Sequence, residues 1–112
     1  MEGRFQKFQE SRQAAVKLQI AAEDYFLPDL PPAPRKAYEE YLRLRRRPAA
    51  EWLVRAEDPE RLQKLWELQC FSEAMVNDLL SLSLAEHKNV SYVWLLRKKQ
   101  ETWGFPPRDF SL

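Results

Sequence analysis

Glycine is nearly missing from this sequence, with two residues in 112 against a usual share of about 7%. Positive-φ turns, bulges and phosphate-cradling loops all draw on glycine, so a chain this poor in it has few places to build them. Cysteine is down to Cys70 alone, which excludes an intrachain disulfide framework and a multi-cysteine zinc site. Histidine is down to His87, and His-x-x-x-His, Cys-x-x-Cys and Glu-x-x-His spacings are absent. No apolar run reaches bilayer-spanning length, and the first thirty residues hold no signal-like apolar core. Excess charge is missing too: 18 lysines and arginines face 17 aspartates and glutamates. A whole-protein field that recruits nucleic acid or an acidic membrane is therefore excluded, and such binding needs a local patch.

What fills the space is alanine, leucine, glutamate, glutamine, lysine and arginine, the strong helix formers. Eight prolines punctuate them, and fourteen aromatics, four of them tryptophan, supply core area. The expectation is one all-α domain, a small bundle of four to six helices with a long N-terminal helix and a proline-rich connector. Apolar residues Phe5, Phe8, Ala15, Leu18, Ala22 and Tyr25 fall at helical steps, predicting one amphipathic helix over residues 1–27. Residues 28–34 hold four of the eight prolines and read as an extended connector with Leu30 as a packing peg.

The bundle is expected over residues 35–104. A helix from about Pro34 to Arg47 buries Ala37, Tyr38, Tyr41 and Leu42, Pro48 interrupts it, and a short helix carries Trp52, Leu53 and Ala56. Asp58 is placed to cap the next helix, with Pro59 in its first turn. The apolar pattern then runs from Leu62 to about His87, with Ser72 as the most plausible break. Asn89 is suited to a left-handed helix end and Ser91 to capping the helix that follows. Gly104 with Pro106-Pro107 reads as a stop, leaving residues 105–112 as a tail. No segment alternates with period two, so no sheet is expected.

The raw material for catalysis is thin: there is no glycine-rich phosphate loop and no Gly-x-Ser-x-Gly elbow. Cys70 sits in an apolar stretch and reads as an inert thiol. No catalytic, cofactor-binding or metal-ligating residue is assigned, and no cofactor is expected. The densest charge feature is Arg43-Leu-Arg-Arg-Arg47, with Glu39 and Glu40 one turn upstream to offset part of it.

Residues 84–95 resemble a helix-turn-helix. Ala85 takes the first-helix alanine, Asn89 the turn glycine, Val90 and Ser91 the positions after it, and Leu95 the later apolar place. The resemblance spans about twenty residues and implies DNA contacts from Ser91, Tyr92, Arg97 and Lys99. Lys98 departs from it, standing where the second helix usually has a core residue. Val93, Trp94 and Leu96 would face the bases, which they read poorly. The plainer reading is an antiparallel helical hairpin.

Tryptophan, tyrosine and arginine are the enriched residues of interface hot spots. The sequence therefore favours a small non-enzymatic accessory or adaptor protein of the cytoplasm. It is expected to bind another protein or a second copy of itself through Phe5, Phe8, Tyr25, Arg43, Arg46 and Arg47, with no membrane partner. A DNA-binding protein using residues 84–99 is the alternative.

Overall fold

A computed structural model describes residues 2–104. Among them every regular element is helical: α1 Glu2–Glu10, α2 Ala14–Asp24, α3 Pro32–Leu44, α4 Arg46–Arg55, α5 Pro59–Trp66, α6 Glu73–Ala85 and α7 Asn89–Thr102. The all-α expectation holds, whereas seven helices replace four to six. The tail at 105–112, with Pro106 and Pro107, lies outside the described residues.

The long first helix is corrected to two short ones. The break at Ser11-Arg12-Gln13 falls inside five consecutive polar residues, Gln9 to Gln13, where no apolar side chain ties the helix to a core. Ser11 Oγ accepts from the Gln13 amide at 3.2 Å, offering the backbone an alternative to the helical ladder. The fold-back has a packing reason. A straight helix over residues 5–26 would be about 33 Å long and would carry Phe5 and Phe8 away from α3. Folded back, both rings meet Tyr38 edge-on, at centroid distances of 5.7 and 4.9 Å. Arg4 then reaches the far end of α2, with Nε 2.6 Å from Asp24 and Nη2 2.8 Å from Glu23. This pairing and burial of the Asp24 carboxylate fix α1 antiparallel to α2.

The connector between α2 and α3 is residues 25–31, as long as the expected 28–34 but three positions earlier. Pro31 is the extended cap residue, while Pro32 and Pro34 lie in the first turn of α3, where a missing amide costs nothing. Leu30 is buried as a peg. The next break comes at Arg45 rather than at Pro48, because Pro48 fits the first turn of α4. Helix α4 touches α2, α3, α5 and α6, and its Ala49, Ala50, Leu53 and Val54 are fully buried. One apolar cluster runs from Phe8 and Ile20 through this helix to Leu62, Leu79 and Leu95.

The stretch from 59 to 87 is two helices. Asp58 accepts from the Arg61 amide at 3.1 Å, so that expected cap is in place, and Ser72, expected as a break, caps α6 by accepting from the Met75 amide at 3.2 Å. The helix ends solve the shortage of glycine in an unforeseen way. Glu57, Gln69 and His87 take φ values of 55°, 57° and 56°, and Asp58 and Lys88 donate back to Leu53 and Ser83 in the six-to-one bond of a Schellman turn. His87, and not Asn89, is the left-handed residue before α7. Ser91 does not cap α7 and lies inside it. Gly104, at φ 71°, ends α7 as expected, its amide on Lys99 O.

Two stability outcomes follow from this geometry. Gln69 is exposed and bears the left-handed cost, so Gln69→Gly is expected to stabilise by about 1 kcal/mol, read as a rise of several degrees in the thermal midpoint. Tyr38 is fully buried and its hydroxyl has no partner among the described residues, so Tyr38→Phe is expected to unfold at the same denaturant midpoint or a higher one.

Candidate functional site

Helices α3 and α4 meet at an elbow built on Arg45, which is the C-cap of one and the N-cap of the other, at φ −109° and ψ 38°. Its amide donates to Tyr41 O and its carbonyl accepts from the Ala49 amide, each at 2.9 Å, so the bend is held by main-chain bonds and leaves the side chains free. Leu44, Arg45, Arg46 and Arg47 are all exposed, and Leu44, at 73%, is the most exposed large apolar residue described.

The arginines divide into two pairs. Arg43 lies 3.4 Å from Glu39 one turn back, and Arg47 reaches across to Asp78 on α6. Arg45 and Arg46 have no carboxylate within ion-pair distance among the described residues. Arg46 makes one long hydrogen bond, at 3.5 Å, to the carbonyl of Arg43. Exposed ion pairs contribute little to stability, so the elbow's charge is spare for other use.

Of the residues expected to bind a partner, Arg43, Arg46 and Arg47 are brought together here. Phe8 is a correction: at 5% exposure it belongs to the core, with Phe5 half-buried beside it. Lys17 covers the outer side of the same cluster, its Nζ 4.6 Å from the Phe8 ring centre. Tyr25 is half-buried and donates to Glu39 Oε1 at 2.9 Å. Glu39 therefore serves Tyr25 and Arg43 together.

Ser91 is a second correction, since it is fully buried. Its Oγ donates to Val54 O at 2.8 Å, and its amide donates to Glu57 Oε2 at 3.0 Å. A DNA phosphate at the start of α7 would meet the carboxylate of Glu57 already there. Arg97 is exposed, while Tyr92 and Lys99 are half-buried. Val90 and Val93 are more than half exposed, as is Leu84 across the turn.

Sequence reasoning missed Arg45 as distinct from its neighbours. It also missed an aromatic group at the α5–α7 contact, where Trp66 packs against Phe71, Trp94 and Trp103 at 5.0 to 6.1 Å. Lys98 accounts for its own departure from the helix-turn-helix pattern, with Nζ 5.8 and 5.6 Å from the Trp66 and Trp94 ring centres.

His87 is exposed on the turn. Cys70 is half-buried, and burial pushes its thiol up against the opposing influence of Arg43 and Arg46. Among the described residues no three histidine, cysteine, aspartate or glutamate side chains gather in a way that could hold a metal ion. No described helix is long and apolar enough to cross a membrane. Comparison with known proteins adds no assignment: no family model, no curated protein and no solved structure matches the chain.

The Tyr25–Glu39 bond gives a pH test. Burial first, and then the hydrogen bond to Glu39, push the Tyr25 phenol up from 10 to about 12. The folded state thus holds a proton that the unfolded chain has released, and this contribution to stability is full below pH 10 and lost as pH rises to about 12. Burial pushes the Tyr38 phenol up as well, so spectrophotometric titration is expected to show late tyrosine ionisation that loses one phenol in Tyr25→Phe.

Proposed function

We propose that this chain is a small non-enzymatic accessory or adaptor protein that works by binding another protein. The observation that supports this is the elbow: among the described residues, two arginines without a carboxylate partner and the most exposed leucine stand side by side on a bend held by main-chain bonds. Arginine beside exposed apolar surface is the composition of interface anchors, and complementary charge at the rim speeds encounter and sets register. A second copy of the chain is the other partner this reading admits, and Leu84, Val90 and Val93 at the α6–α7 turn supply aliphatic surface for it.

DNA binding through residues 84–99 is the second reading, favoured by the three-residue connection between α6 and α7. It retains Arg97, Tyr92 and Lys99 but has Ser91 buried and Glu57 at the helix start.

The test is crosslinking and affinity capture from the native cell with the wild-type chain and with Leu44→Asp/Arg46→Glu, alongside light-scattering mass. The expected outcome is a partner held by the wild type and lost by the double variant at unchanged helix content. Retention of duplex DNA at low salt, falling with a log–log slope near −0.9 per phosphate neutralised, would replace this reading with the second.

A further inference from the structure

Arg45 borders two hollows of opposite character. On the α2 side lies one of about 230 Å³, lined by Ala14, Ala15, Leu18, Tyr41, Pro48 and Arg45 itself. Apart from Arg45 and the Tyr41 hydroxyl, its side chains are hydrocarbon. That hydroxyl is already directed to Ala14 O at 3.3 Å, so the hollow offers a guest mostly carbon. On the α6 side lies one of about 260 Å³, bordered by Arg45, Arg46, Arg47 and Ser72 together with Leu44, Pro48 and Met75. Glu73, the exposed first residue of α6, is not among its lining residues. Two of its three guanidinium groups are uncompensated, and Ser72, exposed at the cap of α6, retains a hydroxyl proton to donate.

Both volumes fall below the range of about 300–1,000 Å³ usual for small-molecule sites. Each suits a single side chain, and the two are adjacent because Arg45 and Pro48 are walls of both. We propose that the α3–α4 elbow is a docking site for an acidic peptide segment of a partner protein. In it an apolar side chain the size of leucine or phenylalanine enters the Ala15–Leu18–Tyr41 hollow, and neighbouring aspartate or glutamate side chains lie on Arg45 and Arg46.

Charge complementarity selects the occupant. Free guanidinium groups on a neutral-balanced chain call for carboxylates, and bidentate pairing gives them register as well as attraction. A nucleic-acid backbone satisfies the arginines but brings no apolar side chain for the carbon-lined hollow. A purely apolar segment leaves the arginines unmatched. The inference rests on the protein-binding reading above and names the chemistry of that partner.

The probe is a fluorescein-labelled twelve-residue peptide with one leucine or phenylalanine followed by three acidic residues, titrated with the full chain and followed by anisotropy. Binding is expected to weaken by about tenfold or more with Arg45→Glu, with Ala15→Trp, which fills the apolar hollow, and with serine in place of the peptide's apolar residue. Circular dichroism checks that each variant folds, and Arg46→Glu gives an independent second surface variant. Equal binding of the serine peptide, or of Arg45→Glu, overturns the site. Tighter binding of a phosphoserine peptide or of duplex DNA also overturns it.

Affinity capture separates this failure from that of the broader reading. A cellular partner held equally by wild type, Arg45→Glu and Ala15→Trp removes the elbow and leaves protein binding elsewhere on the surface. No partner with any of them removes both.

Discussion

Helix α4 is the piece on which the rest of the structure depends, because it is packed by helices from both sides at once. Ala49 and Ala50 have side chains small enough for α2, α3, α5 and α6 to approach its backbone, and Leu53 and Val54 fill the remaining space. Interiors are packed at crystal-like density, so even one added methylene is felt there. The described part of the molecule measures 56 by 26 by 20 Å. In a body that long, a ten-residue helix shared by the two ends is what makes the apolar cluster continuous.

The polar contacts around α4 are consistent with that role. Val54 O accepts from both the Glu57 amide and Ser91 Oγ, so both of its lone pairs are used where α4 ends. Arg55 reaches Glu86 at 3.0 Å and Arg47 reaches Asp78, which puts ion pairs to α6 at both ends of α4. These are surface pairs of small energy. Their consequence is orientation: they set how α6 lies on α4 while the buried alanines and leucines supply the free energy.

Much of the fold was legible in the sequence, since amphipathic period and proline position are local properties. Asp58, Ser72 and Gly104 signalled their boundaries because caps and stops act within one turn. The breaks at Ser11–Gln13 and at Arg45 were missed for a different reason. The polar run before Ala14 was visible, but bridging it with a step of seven kept Phe5 and Phe8 in register with Leu18. Only the position of Tyr38, thirty residues or more beyond them, shows that those rings must turn back. Pro48 drew attention away from Arg45, because a proline in a first turn and one that breaks a helix look alike in one dimension. The arginine run was legible as charge. Which members are spent on Glu39 and Asp78, and which are spare, depends on long-range placement that no local pattern carries.

The left-handed helix ends show how scarcity of one residue reshapes the use of others. A glycine at position 57 would let the chain bend and contribute nothing further. Glutamate there bends the chain and also sends a carboxylate to the opening amides of α7, 3.0 Å from the nitrogen of Ser91. The bend and the fastener are one residue. Substituting Glu57 by glycine would therefore relax the backbone while unbuttoning α7 from α4, separating comfort of the turn from order between helices.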